Sequence, residues 1–263
     1  MLIQVQLTMT TTVPAYIEAR IRQAIPQTHY VVPDSTPVVA FGDVRNATVA
    51  TLGLNPSRNE FQDRHGNLLS GAQQRLETYP SLGVASLANA TEDTIARVFE
   101  RCNSYFAYQP YWAWFGKIEP ILNAINTSYK DGTACHLDLV QWATNPVWAK
   151  IPSQAVRDQL IQADAAFLQQ QLQSERIRVL LLNGKSVIDA FSQTQGIKLR
   201  WLPETLTHKS AKTRIVVGTG FQDVVIIGWT VNIQSSFGVS TEFKQLLARK
   251  AAELLPALQN GGV

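Results

Sequence analysis

The chain has 263 residues, 45% of them hydrophobic and 16% charged, so one sizeable core is affordable and a single unit over 1–263 is expected. Its formal net charge of +3 suits phosphate contact without requiring it. Two cysteines, Cys102 and Cys135, exclude a disulfide framework, a four-thiolate zinc site and an iron–sulfur cluster on four thiolates.

No segment reaches the ~20 apolar residues that span a bilayer. Met1-Leu2-Ile3-Gln4-Val5 lacks the basic flank and apolar run of an export signal. A soluble, unprocessed, cytoplasmic protein is expected.

Residues 14–25 place Ile17, Ile21, Ala24 and Ile25 on one helical face before Pro26, which predicts an N-terminal packing helix. Val38 to Phe41 and Ala47 to Leu52 read as strands around a turn at 42–46. The second runs directly into Gly53-Leu54-Asn55-Pro56-Ser57. Residues 58–90 are polar and glycine-punctuated, which predicts a long loop broken by a short helix over 72–78.

Cys135 to Val140 reads as a strand interrupted by His136 and Asp138, two residues whose spacing puts them on one side. Ser153–Glu175 reads as a helix, with Ser153 as N-cap and Val156, Leu160, Phe167, Leu168 and Leu172 as its buried stripe. Ile177 to Leu182 predicts a buried strand ending in Asn183-Gly184-Lys185-Ser186, then a helix over 187–191. Val224 to Val231 predicts another buried strand before a helix over 241–259. Alternating strands and helices imply an α/β fold with a largely parallel sheet.

Ligands in such sheets bind beyond the carboxyl ends of the strands. Asn55, Asp138 and the run Asn232-Ile233-Gln234-Ser235-Ser236 occupy three such ends. The four histidines have no spacing suited to a metal, and no cofactor is expected.

Gly53-Leu54-Asn55-Pro56-Ser57 resembles the G-x-N-P-G motif of the mismatch-specific and single-strand-selective branches of the uracil-DNA glycosylase superfamily. The run Leu180 to Ser186 resembles its third strand and turn, and 232–238 occupies the place of its second signature, more in position than in letters. The resemblance implies a three-layer α/β/α sandwich around a mainly parallel four-stranded sheet. It also implies a monomeric enzyme, with DNA as partner and no membrane, iron–sulfur cluster or other cofactor. The activity implied is flipping of a damaged or modified base and hydrolysis of its N-glycosidic bond to an abasic site.

Under that resemblance Asn55 orients water, its amide being too weakly basic to act as a general base. Gln234, Ser235, Asn232 and Ser236 are candidates to stabilise the departing base; the alternative is that Gln234-Ser235-Ser236 caps the last helix. Asp138 stands where most branches have an Asn that reads the pyrimidine edge. An ionised carboxylate only accepts hydrogen bonds, which matches the amino group of cytosine and points to a 5-modified cytosine such as one in phage DNA. A structural Asp is the alternative, as are uracil or hypoxanthine repair and a non-catalytic nucleic-acid module. Phe61 is the candidate to stack on the flipped base, Trp112 belongs to an aromatic segment (105–115) that suits a base pocket, and Phe237 is the candidate wedge. Ser57 is a further substrate contact; Arg58 and Lys185 are candidate phosphate contacts.

Overall fold

The computed structural model describes residues 12–259, so the reading of Met1 to Val5 lies outside the described residues. Six strands form one mixed sheet in the order β2-β1-β3-β6-β5-β4. β1 (Val49–Gly53), β2 (Ala134–Asp138), β3 (Val179–Asn183) and β6 (Val224–Trp229) run parallel. Each is buried on both faces, the pattern of strands covered from two sides, and only β2 carries acidic or histidine side chains, His136 and Asp138. The α/β class follows from them.

The expected four-stranded sheet is too small. β4 (Arg200–His208) and β5 (Ala211–Gly220) form a hairpin that adds two antiparallel strands beyond β6. Most of β4 is exposed, so it carries no hydrophobic run that would mark it in the sequence. Conversely, Val38 to Phe41 is extended but not a strand; it meets the sheet only through the Phe41–His136 bridge.

The helices are α1 (Ala15–Ile21), α2 (Tyr79–Leu82), α3 (Glu92–Asn103), α4 (Trp112–Phe115), α5 (Glu119–Ala124), α6 (Gln154–Ser174), α7 (Lys185–Gln195) and α8 (Thr241–Gln259). α1 ends at Ile21, short of Ala24 and Ile25 in the expected helix over 14–25. The helix expected over 72–78 is a single 3-10 turn at Gly71–Gln73, and α2 begins only after it, with Thr78 and Ser81 forming its capping box. Ser153 caps α6 as expected, its hydroxyl accepting from Val156 N at 3.3 Å.

α6 packs on α7, which lies against β3 and β6; α5 packs on α8, which lies against β4 and β6. Parallel strands of one sheet are joined by right-handed crossovers as a rule, which sets helices on both of its faces. Among the described residues no helix is long and apolar enough to cross a membrane.

Candidate functional site

The carboxyl ends of the four parallel strands open into a cleft of about 1040 Å³, lined by Asn55, Ser57, Asp138, Asn183 and Asn232 among others. The strand pairing continues into the first motif. Leu139 N donates to Gly53 O at 3.1 Å and Val140 N to Leu54 O at 2.9 Å. Gly53 stands beside Asp138 in the register of β1 with β2.

Asn55 is held by its amide nitrogen. Nδ2 donates to Pro56 O at 2.9 Å, Thr144 Oγ1 at 3.0 Å and Trp142 O at 3.3 Å. The two carbonyls fix the orientation of the amide, because a flip would set its oxygen against theirs, while the Thr144 hydroxyl accepts in the same direction. Oδ1 is left without a protein partner among the described residues, and it can only accept. It suits a water molecule held by one O–H.

Asp138 is 4% exposed. Its Oδ1 is buried, without a hydrogen bond among the described residues, and 3.4 Å from His136 Nε2. On the far side of the ring, His136 Nδ1 lies 2.7 Å from Thr51 Oγ1, which in turn lies 2.5 Å from the Tyr129 hydroxyl. A carboxylate favours a proton on the facing Nε2, so Nδ1 accepts from Thr51 and Thr51 from Tyr129. The chain Tyr129–Thr51–His136–Asp138 therefore runs across β1 and β2 to the cleft floor. The expectation that His136 and Asp138 share one side holds.

Glu60 is a cleft residue that sequence reasoning missed. It sits in the 3-10 turn Arg58–Glu60, five positions after Asn55, and is 2% exposed. Its Oε2 accepts from the Tyr105 hydroxyl at 2.6 Å and lies 3.9 Å from Arg75 Nη1. Burial pushes its carboxyl up to about 7, against the opposing pull of Tyr105 and Arg75. Its place in a largely polar loop hides it in the sequence, and only the folding of 58–62 back over Tyr105 buries it.

Asn183, at the end of β3, organises the second motif. Its Oδ1 accepts from Trp229 Nε1 at 2.8 Å and Ile233 N at 3.1 Å; its Nδ2 donates to Gln234 Oε1 at 2.7 Å and Asn232 Oδ1 at 3.1 Å. Gln234 is consequently a brace. Buried, with Nε2 donating to Trp114 O at 3.3 Å, it has both ends of its amide engaged. Asn232 Oδ1 accepts from Gln234 N and Ser235 N at 3.0 and 3.2 Å, which fixes the loop and leaves Nδ2 without a partner among the described residues. Ser235 and Ser236 line the cleft. The loop is followed by Ser240, whose hydroxyl accepts from Phe243 N at 3.2 Å, so the start of the last helix is capped by Ser240 rather than by 234–236.

Two aromatic assignments need correction. Phe61 is 1% exposed within the main core and does not line the cleft, so it has no face to offer a flipped base. Trp112 does not line it either; it packs against Phe106 at 5.6 Å and carries Lys130 over its ring. The cleft aromatics are Phe41, Tyr111, Trp114, Phe115 and Trp148. Three of these come from the segment that the sequence singled out, but from other positions in it.

Ser57 lines the cleft and caps the turn that carries Glu60, accepting from Asn59 N at 3.2 Å. Arg58 does not line the cleft; its Nη1 donates to Asn145 Oδ1 at 3.4 Å. Lys185 lines the cleft mouth and pairs with Asp189 at 2.5 Å in an exposed i,i+4 contact of little energetic weight. Phe237 is fully exposed. Among the described residues no three His, Cys, Asp or Glu side chains are arranged to hold a metal ion.

Behind the cleft, Arg20 of α1 and Asp164 of α6 form a buried ion pair at 2.9 Å. Asp164 Oδ2 accepts from Gln141 N at 2.8 Å, Gln141 Oε1 accepts from Arg20 Nε at 3.0 Å, and Gln141 Nε2 donates to Asp138 O at 2.8 Å. The backbone of Asp138 is thus tied to two helices.

Compared with models of known protein families and with curated proteins, this sequence matches none.

Proposed function

We propose that the protein is a monofunctional DNA glycosylase that removes a modified pyrimidine, with a 5-modified cytosine as the favoured substrate. The observation that carries this reading is Asn55: its nitrogen is locked by three acceptors and its oxygen is left for the cleft that Asp138 floors. An oriented water and a base-reading carboxylate are the two groups that such a hydrolysis needs.

In this mechanism the target nucleotide leaves the stack and enters the cleft, at a cost of a few kcal/mol. Asp138 accepts from the exocyclic amino group of the base. The C1′–N bond breaks with its electron pair going to the base, and the water on Asn55 bonds to C1′ as the sugar acquires oxocarbenium character. The proton lost by the water neutralises the departing base, leaving an abasic site. With Gln234 engaged as a brace, charge on the leaving base falls to Asn232 Nδ2 and the hydroxyls of Ser235 and Ser236. A cleft of about 1040 Å³ lies at the upper end for small-molecule sites, which leaves room for a substituent at C5.

One observation favours a second reading. The tied amide of Gln234 removes a leaving-group donor, which a non-catalytic module that only reads nucleic acid would tolerate. The test is base release from duplexes containing hydroxymethylcytosine, its glucosylated form, uracil or hypoxanthine. Release of a cytosine-type base that Asn55→Ala abolishes supports the proposal. Release of uracil or hypoxanthine alone replaces it with a repair activity, and no release from any duplex with retained DNA binding replaces it with the binding module.

A further inference from the structure

The β4–β5 hairpin prolongs the edge of the sheet at which the cleft opens. Because β5 runs antiparallel to β6, its first residues reach that edge: Ile215 pairs with Trp229, and beyond it Thr230 N donates to Arg214 O at 3.1 Å while Arg214 N donates to Thr230 Oγ1 at 3.1 Å. Thr230 itself lines the cleft. Arg214 is therefore the next backbone along from the cleft wall.

Thr205 pairs with Arg214 and Thr207 with Lys212, so Lys212, Arg214 and Val216 share one face of the hairpin. Val216 pairs with Gly228, where an added side-chain carbon would lie 3.2 Å from Ile188 of α7. This is the α7 face of the sheet, and Lys212 and Arg214 are exposed on it. The Arg214 guanidinium carbon lies 4.4 Å from the centre of the Trp201 ring, a stacked geometry that holds the planar cation against an exposed aromatic.

Cations outnumber acids on this hairpin. The two strands carry one acid, Glu204, and it pairs with Lys250 of α8 at 2.5 Å. At the turn, Lys209 and His208 lie near Glu242, whose carboxyl is lowered first by its hydrogen bond with Ser240 and further by these neighbours. Lys212 and Arg214 have no ion-pair partner among the described residues. The turn also reaches the second motif: a side-chain carbon on Gly238 would lie 3.5 Å from Ser210 Oγ, next to the fully exposed Phe237.

We propose that the hairpin is a backbone clamp, in which Lys212 and Arg214, with Trp201 behind the guanidinium, bind phosphates of the DNA strand on the β6 side of the cleft. The choice of DNA as occupant rests on the function proposed above; the position of the contact rests on the sheet. Two unpaired cations continuous with the cleft wall complement a polyanion, and phosphate contacts of this kind position a strand without reading it.

The experiment is fluorescence anisotropy of a labelled duplex that carries no modified base, across a salt series. It compares the wild type with Lys212→Gln/Arg214→Gln and with Arg176→Gln/Arg249→Gln, which removes two exposed cations away from the cleft. Each phosphate contact contributes about 0.9 to the slope of log K against log salt, so the hairpin variant is expected to lose about two units of slope and the control variant none. An unchanged slope, an equal loss in both variants, or absence of DNA binding by the wild type overturns the clamp. Unchanged melting midpoints show that the variants fold. Base release is read separately: a chain that binds DNA through the hairpin but releases no base removes the glycosylase reading alone, whereas release with an unaltered slope removes the clamp alone.

Discussion

A side-chain carbon on Gly53 would lie 2.5 Å from Asp138 Oδ1 and 2.9 Å from His136 Nε2. The glycine of the first motif is therefore required by the second strand: its missing side chain is the space in which the Asp138–His136 pair sits. Gly53→Ala forces that pair to shift. The expected result is a folded protein whose kcat/KM for base release falls by roughly a hundredfold, the scale of a misplacement near 1 Å. Wild-type kinetics with a wild-type melting curve would show that the placement of Asp138 is unimportant.

Asp138→Asn exchanges an acceptor-only group for one that also donates. Discrimination by a good paired contact is worth about 1–3 kcal/mol, so preference should move from cytosine-type toward uracil-type bases by about tenfold to a hundredfold. Ratios of kcat/KM on matched duplexes measure it. An unchanged ratio would assign Asp138 to structure.

Glu60 makes stability depend on pH. Its carboxyl is near 7 in the folded chain against an ordinary 4.5, because burial outweighs Tyr105 and Arg75, with Asp138 raising it and His136 lowering it further. The folded state then holds the proton more tightly than the unfolded one. That contribution is fully present below about 4.5 and is lost as pH rises through about 7. Glu60→Gln keeps an acceptor for Tyr105 and removes the titration. It should melt like the wild type at acid pH and gain on the order of 2–3 kcal/mol above neutrality. Parallel wild-type and variant stability curves from acid to alkaline pH would refute this.

Arg20 stabilises Asp138 at a distance. Arg20→Met leaves Asp164 buried without its cation, which costs about 3–5 kcal/mol and loosens Gln141 under Asp138. Adding Asp164→Asn removes the stranded charge and keeps an acceptor for Gln141 N. Denaturant melts should show most of the loss recovered in the double variant; additive losses would mean that the pair is not coupled.

The sequence by itself determined the four parallel strands, the two long helices α6 and α8, and the gathering of residues 55, 138 and 232–236 at one end of the sheet. Both-face burial makes β3 and β6 continuous apolar runs and leaves β1 and β2 largely apolar, and a 3.6-residue stripe marks a helix that covers a sheet; such signals are local. The tertiary structure alone decided the rest. β4 is exposed and gives no run; Phe61 and Trp112 differ from the cleft aromatics only in which way the chain turns them. Gln234 reads as a free amide until Asn183, fifty-one positions earlier, is seen to occupy it. Glu60 is an ordinary polar loop residue until Tyr105, forty-five positions later, closes over it. Whether a polar group serves the cleft or the scaffold depends on partners far away in the chain, and that is the information that spacing and composition do not carry.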